Sequence, residues 1–175
     1  NRGFIDIPVW RPEVYNEPYN ARVMENNLSL AFYYATNRPW NPYYGATAVR
    51  DRLEAALNFW GNMQRSDGRF SEYNANAWNS AATEFATKFL GQTLTLLENG
   101  PHIDPVLKQS VINADRKAIM YTLDSPTYYN LGTKYSNQYG NVFAGALAYL
   151  GLYEDTEMRT KLNAVFATAH NDFQS

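Results

Sequence analysis

The sequence predicts an all-α domain built from antiparallel helical hairpins. Apolar residues recur at the three- and four-residue spacing of helices along most of the chain, whereas alternating strand patterns of useful length do not. Residues that start and stop helices flank these segments, most clearly at Gly100-Pro101 and Asp104-Pro105. Six helices are therefore expected within the 175 residues.

The first three predicted helices each carry an apolar stripe, and they cover about residues 21–36, 48–64 and 79–98. Asn20 and Thr47 are expected to cap the first two, because their side-chain oxygens can accept from free N–H groups at a helix start. The third helix has the longest apolar face and stops at Gly100-Pro101.

The last three predicted helices follow stronger start signals. Asp104 is expected to cap the fourth, with Pro105 in its first turn, and Asp155 is expected to cap the sixth. The fifth follows the tyrosine- and amide-rich segment 128–139 and ends at Gly151. The connections before the third and fifth helices are long, and long ordered loops often carry function.

Composition narrows the function classes. The formal net charge is -2, from 15 Lys and Arg against 17 Asp and Glu, so the chain lacks the basic field that binds nucleic acid. No apolar run is long enough for a membrane span, and there is no cysteine, metal-ligand spacing or nucleotide motif. We therefore expect no nucleic-acid partner, no membrane partner and no cofactor.

Aromatic and amide side chains concentrate in the segments before alternate helices. If successive helices are antiparallel neighbours, the first, third and fifth begin at the same end of the domain, and so do segments 10–20, 65–78 and 124–139. One end should therefore carry a surface of phenols, indoles and amides, the chemistry of a sugar or uronate site. The equally aromatic segment 38–44 precedes the second helix at the other end, so the segregation is partial.

The turn after the second helix reads Q-x-x-D-G-x-F, from Gln64 through Asp67-Gly68 to Phe70. It resembles the helix-end turn of repeated α/α-toroid proteins, in which Gln closes the helix, Asp-Gly turns and the aromatic ring packs back. Together with Glu72-Tyr73, Trp78, helical residues 81–86 and the segment 135–139, it makes residues 20–170 resemble heparinase II/III-like and alginate-lyase-like polysaccharide lyases.

This resemblance implies an incomplete (α/α) toroid with a cleft lined by inner helices, and a separate β-sandwich domain. Six helices make about half of such a ring, and the first residue is Asn1 rather than Met. We therefore expect residues 1–175 to be a single helical domain of a larger periplasmic or extracellular protein. Its partners would be the remaining toroid half, the β-rich domain and an acidic polysaccharide. The catalytic His of the family commonly lies in the part not present.

The implied reaction is β-elimination from a uronate-containing glycan. The enzyme must neutralise the uronate carboxylate and remove the proton beside it. Amides of Asn137 and Gln138 could stabilise the developing charge, and a tyrosine with a lowered pKa could act as base and then as acid. The candidate tyrosines are Tyr73, Tyr135 and Tyr139, with Arg69 and Lys134 as local cations. The candidate substrate contacts are Trp40, Glu72, Trp78, Tyr129 and Asn130.

Other interpretations of these residues stay open. Asn137 could be a helix cap, and any one of the tyrosines could simply pack against its neighbours. A non-catalytic glycan-binding domain would use Trp40, Tyr43, Trp78 and Tyr129 as stacking platforms. A toroid glycoside hydrolase would use Asp67 or Glu72 as an acid, although Asp in Asp-Gly is more typical of a turn. Terpenoid cyclases share the turn, but the sequence has no Asp-rich motif of their kind.

Overall fold

The chain folds as a set of α-helices, as the sequence predicts. The computed structural model describes residues 2–7, 20–72, 74, 76–78, 80–125, 134 and 136–172. The helices within these residues are α1 (Asn27–Ala35), α2 (Thr47–Asn62), α3 (Ser80–Glu98), α4 (Pro105–Asp124), α5 (Ser136–Leu150) and α6 (Thr156–Asp172). In the described part of the chain, extended pairing is limited to an isolated bridge between Ser71 and Trp78. None of the described helices is long and apolar enough to cross a lipid bilayer.

Two of the predicted helix caps are formed as expected. Asp104 Oδ1 accepts from the Leu107 N–H at 2.7 Å, and Asp155 Oδ1 accepts from the Met158 N–H at 2.9 Å. The first helix starts later than predicted, because Val23–Asn26 form a 3-10 turn ahead of α1. Asn20 accordingly accepts from the Arg22 N–H at 2.9 Å and does not cap α1.

Helices α1, α3 and α5 lie side by side and run in the same direction. Ser80 Oγ donates to Gln138 Oε1 at 3.0 Å. Further toward the C-terminal ends of both helices, Thr87 lies against Gly145. A Cβ at Gly145 would lie 2.3 Å from Thr87 Oγ1, so glycine is what allows α3 and α5 to pack this closely. These three helices form the first layer.

Helices α2, α4 and α6 form a second layer that runs the opposite way. Near the start of α4, the Asp104 N–H donates to Glu54 Oε1 at 2.8 Å, and Gln64 Nε2 donates to Ala114 O at 2.7 Å further along. Arg116 of α4 pairs with Asp155 at the start of α6. The hairpins α1/α2, α3/α4 and α5/α6 therefore stand next to one another, which is the arrangement of part of an (α/α) toroid.

A continuous hydrophobic core fills the space between the layers. Trp60 of α2 stacks on Phe70 with ring centroids 4.5 Å apart and planes 22° from parallel, and both side chains are fully buried. Leu90 and Leu94 of α3 and Ile119 of α4 belong to the same core. Burying such side chains contributes about 1.5–3 kcal/mol each relative to exposure, so this core orients the helix ends that carry the site.

The Q-x-x-D-G-x-F turn has the geometry that its sequence predicts. Gln64 Nε2 bridges Gly68 O at 3.1 Å and Ala114 O at 2.7 Å, which ties the end of α2 to α4. Gly68 has a φ of 104°, in the left-handed region that favours glycine. Phe70 then returns to the core against Trp60. The turn thus directs Ser71 and Glu72 toward the start of α3.

Candidate functional site

Three chain segments meet at the end of the domain where α1, α3 and α5 begin, which we call the site end. The Ala21 N–H donates to Ser71 O at 3.0 Å, and this bond joins the segment before α1 to the segment before α3. The Ser80–Gln138 hydrogen bond joins the start of α3 to the start of α5. The predicted convergence of alternate helix starts is therefore confirmed for the described residues.

An acidic and basic cluster lies at the site end. Arg22 Nε and Glu25 Oε1 are 2.6 Å apart, and the Arg22 guanidinium lies 4.1 Å from the centroid of the Phe85 ring. Glu72 and Lys88 are close enough to influence the charge of Glu25. A cavity of about 120 Å³ opens beside this ion pair and is lined by Ile7, Arg22, Val23, Glu25 and Asn26.

The Glu25 carboxyl has an unusual proton affinity. Burial raises the pKa of Glu25 from 4.5 to about 7, because the charged form loses hydration. The charge and hydrogen bond of Arg22 and the charge of Lys88 oppose this shift, whereas the charge of Glu72 adds to it. At neutral pH Glu25 is therefore present in both protonation states, which suits a group that accepts or donates a proton.

The predicted amides lie at the site end and make local bonds there. Asn137 is exposed, and its Oδ1 accepts from the Gln138 N–H at 2.9 Å in the first turn of α5. Asn137 is the second residue of α5 and therefore does not occupy the cap position. Its role as a ligand stays a prediction. Gln138 is half-buried and accepts from Ser80.

Tyr139 lies in the hydrophobic core. It is 2% exposed and meets the Phe143 ring edge-on at a centroid distance of 4.8 Å. This position favours the packing interpretation of Tyr139 over the catalytic one. Residues two positions apart on a helix lie on nearly opposite faces. Tyr139 therefore falls on the buried face of α5 and Asn137 on the exposed face.

Trp78 and Glu72 are placed beside the start of α3. Trp78 is half-buried, and the Arg65 guanidinium lies 5.4 Å from its ring centroid. Glu72 is buried, and its N–H donates to Ala77 O at 3.1 Å in a tight loop. Both residues therefore share the site end with Glu25. The predicted local cation Lys134 is exposed.

Asp67 belongs to the turn, as its Asp-Gly context indicates. Its carboxylate accepts from the Arg69 N–H and guanidinium and lies 3.3 Å from Arg65 Nε. Burial disfavours the charged form, but these bonds and charges outweigh burial and lower the pKa of Asp67. A carboxyl with a lowered pKa does not suit the acid of a glycoside hydrolase, and Arg69 is engaged by it.

Trp40 lies at the opposite end of the domain from Glu72 and Trp78. It follows α1, whereas Trp78 precedes α3, and Ala35 at the end of α1 lies against Gly100 at the end of α3. Since α3 has 19 residues, about 28 Å of helix separates the two ends. The structure therefore does not bring Trp40 together with Trp78.

Four of the predicted site residues lie outside the described residues: Tyr73, Tyr129, Asn130 and Tyr135. Their roles stay predictions. Within the described ranges, no three histidine or acidic side chains are grouped so that they could hold a metal ion.

Sequence reasoning missed Glu25. It sits within the first predicted helix as an ordinary acidic residue, and no motif marks it. Its burial and its neighbours come from the packing of residues 22–26 against the start of α3, so the signal appears only in three dimensions.

Comparisons of the chain with protein-family models, with curated proteins and with solved structures gave no significant match.

Proposed function

We propose that this domain acts on a uronate-containing glycan at the site end and cleaves it by β-elimination. The observation that carries the proposal is Glu25, a largely buried carboxyl with a pKa of about 7 beside a small cavity. A base with this pKa is half deprotonated at neutral pH and binds a proton more strongly than an ordinary glutamate. The resemblance of the Gln64–Phe70 turn to toroid lyases suggests the reaction class.

In the proposed reaction, Glu25 removes the proton on the carbon next to the uronate carboxylate. The electron pair of that C–H bond forms a carbon–carbon double bond, and the C–O bond to the leaving sugar breaks with its electron pair on oxygen. The leaving oxygen then takes a proton from Glu25 or from water. The charges of Arg22 and Lys88 would stabilise the negative charge that develops on the carboxylate.

Binding would use Trp78 and the amides at the start of α5. The Trp78 ring offers an apolar face to a sugar, and Arg65, which lies over this ring, offers a cation to a carboxylate. Asn137 is exposed beside the same helix start and can donate to sugar oxygens. We further propose that a second toroid half and a β-rich domain in the intact protein complete the cleft.

Glycoside hydrolysis is the second candidate reaction. It is favoured by the proximity of two carboxyl groups, because Glu72 is near enough for its charge to raise the pKa of Glu25. In this mechanism protonated Glu25 would give its proton to the glycosidic oxygen, and Glu72 would assist the attack of water. A non-catalytic glycan-binding domain is the remaining alternative.

One assay separates the three functions. The intact protein is incubated with alginate and with polyglucuronate, and the products are followed by ultraviolet absorbance and by mass spectrometry. Elimination gives products with a new conjugated double bond, whereas hydrolysis gives saturated products that have gained water. Saturable binding without any cleavage would contradict both enzymatic proposals and leave the binding domain.

A further inference from the structure

A cluster of exposed aromatic rings covers the opposite end of the domain from Glu25. We call it the aromatic patch, and its members are Phe32, Tyr33, Trp40, Tyr43 and Tyr44. Trp40 is 59% exposed and Tyr43 is 51% exposed. Large aromatic rings in water are costly, and a contiguous exposed group of them marks an interaction surface.

The backbone beneath the aromatic patch is held firmly by one buried amide. Asn41 Nδ2 donates to Tyr33 O and to Thr36 O, each at 2.7 Å, and Asn41 Oδ1 accepts from the Tyr43 N–H at 3.1 Å. The Gly45 N–H donates to Tyr34 O at 2.9 Å and closes the loop. The rings are therefore presented in a preorganised way, so a ligand would not have to order this loop on binding.

Four of the rings form a row. The centroids of Trp40 and Phe32 are 6.2 Å apart with planes 24° from parallel, those of Phe32 and Tyr33 are 5.6 Å apart, and those of Tyr33 and Tyr43 are 5.8 Å apart. This spacing is comparable with the length of one pyranose unit in an extended polysaccharide. The Phe32 and Tyr33 rings meet edge to face at 78°, and the Tyr33 and Tyr43 rings at 82°, so a sugar would contact individual exposed rings such as Trp40.

One exposed cation beside the aromatic patch can pair with an acidic ligand. Arg38 is exposed and forms no salt bridge within the described part of the chain, and its guanidinium donates to Asn37 O. At the start of α2, Arg50 lies 3.1 Å from Asp51 and 4.0 Å from Glu54, so two acids share one cation. An unpaired guanidinium two residues before Trp40 complements a carboxylate.

We propose that the aromatic patch is a second, non-catalytic binding site for an acidic oligosaccharide. Trp40 and Tyr43 stack on sugar rings, and Arg38 pairs with a uronate carboxylate. The choice of a uronate ligand rests on the proposed function, whereas the location of the site rests on the aromatic patch itself. With about 28 Å of helix between its ends, the domain would hold a polysaccharide at a point away from the place where it is cut.

The composition of the aromatic patch suits a sugar ligand. The exposed large apolar side chains in the patch are all aromatic, and four of the five carry a hydroxyl or an indole N–H. Sugars combine apolar faces with polar edges, and such rings match both.

The test uses a mannuronate tetrasaccharide and the neutral glucose tetrasaccharide cellotetraose, titrated calorimetrically into the intact protein carrying Glu25→Gln. This background abolishes turnover in the proposed reaction, so a failure of cleavage and a failure of binding are separate results. We expect Trp40→Ala to raise the Kd for the acidic tetrasaccharide roughly tenfold or more, and Tyr43→Ala to raise it severalfold. Phe166→Ala, which removes an exposed ring of α6 outside both sites, should leave the Kd unchanged.

Arg38→Gln tests the charge part of the proposal. It should weaken binding of the mannuronate tetrasaccharide severalfold and leave binding of cellotetraose unchanged, whereas equal weakening of both would overturn the preference for an acidic ligand. The proposal also fails if the parent protein binds neither sugar, or if Trp40→Ala changes no Kd while circular dichroism shows an intact fold. A dimer in sedimentation that Trp40→Ala converts to a monomer, without sugar binding, would identify the patch as a protein interface.

Discussion

The Arg22 guanidinium lies 2.6 Å from the Glu25 carboxylate, yet burial still raises the pKa of Glu25 to about 7. An exposed ion pair of this kind would lower the pKa of the acid. In Glu25 the loss of hydration outweighs the attraction of Arg22, and the charge of Glu72 raises the pKa further. The Glu25 carboxyl at the site end is therefore partly protonated near neutral pH.

Replacing Glu25 by Gln should remove the proton-transfer group and keep its shape. We expect kcat to fall on the order of a hundredfold or more, since a positioned acid or base contributes about this much. Binding of substrate should change little. Glu154→Gln is the matched control, because Glu154 is exposed and lies between α5 and α6, and it should retain full activity. Equal rates for Glu25→Gln and the parent protein would exclude Glu25 from the chemistry.

The pH dependence of kcat/KM should shift when the charged neighbours of Glu25 are replaced. The charge of Glu72 raises the pKa of Glu25 and the charge of Lys88 lowers it. Glu72→Gln should therefore move the limb of the kcat/KM profile near pH 7 to lower pH, and Lys88→Met should move it to higher pH. Profiles measured between pH 5 and 9 check both signs. A limb that moves the same way in both variants would show that another group titrates.

We expect the free energy of unfolding to fall as the pH rises, because of the buried carboxyl of Glu84. It is 0% exposed in α3, and neither of its carboxyl oxygens has a hydrogen-bond partner within the described part of the chain. Burial raises the pKa of Glu84 from 4.5 to about 7. Because the folded protein then binds the proton more tightly than the unfolded chain, stability is full below about pH 4.5 and declines up to about pH 7. Glu84→Gln should raise the free energy of unfolding at pH 8 by up to about 3 kcal/mol, measured by urea denaturation.

Glu98 provides a control of opposite sign. A hydrogen bond from the Tyr153 hydroxyl and the nearby Lys108 ammonium lower the pKa of Glu98. Its contribution to stability is therefore present at neutral pH and is lost as the pH falls through the lowered pKa. Glu98→Gln should destabilise the domain slightly at pH 8, and stabilisation by both variants would refute the assignment for Glu84.

The turn after α2 should be sensitive to its two defining residues. Gln64→Ala removes the bonds to Gly68 O and Ala114 O, and we expect a loss of about 1–3 kcal/mol in the free energy of unfolding. Gly68→Ala should cost more, because φ is 104° and the added Cβ would lie 2.6 Å from Lys117 O. Gly61→Ala is the control, since Gly61 lies within α2 and an added Cβ there would meet nothing within 4 Å. It should raise the free energy of unfolding by about 0.5–1 kcal/mol.

The features that the sequence predicts correctly depend on local chemistry. The caps at Asp104 and Asp155 and the turn from Gln64 to Phe70 each form within a few residues. The common end of α1, α3 and α5 follows because successive helices in hairpins alternate in direction. These rules needed no knowledge of which side chains touch across the core.

The features that sequence reasoning missed depend on tertiary packing. Nothing in the order of residues distinguishes Glu25 and Glu84 from the exposed glutamates, yet both are desolvated by neighbours distant in the sequence. Tyr139 is adjacent in sequence to the amides of Asn137 and Gln138, yet it faces the core. Trp40 shares its residue type with Trp78, yet the fold places it at the far end.

We propose that Glu25 is the base of an elimination reaction on a uronate glycan. This proposal is tested most directly by the rate at which the intact protein generates double-bond absorbance from alginate or polyglucuronate between pH 5 and 9, with Glu25→Gln alongside. We expect the rate of unsaturated-product formation to rise with pH around a midpoint near 7 and to be lost in Glu25→Gln. Absence of unsaturated product from both substrates at every pH, or an unchanged rate in Glu25→Gln, would contradict it.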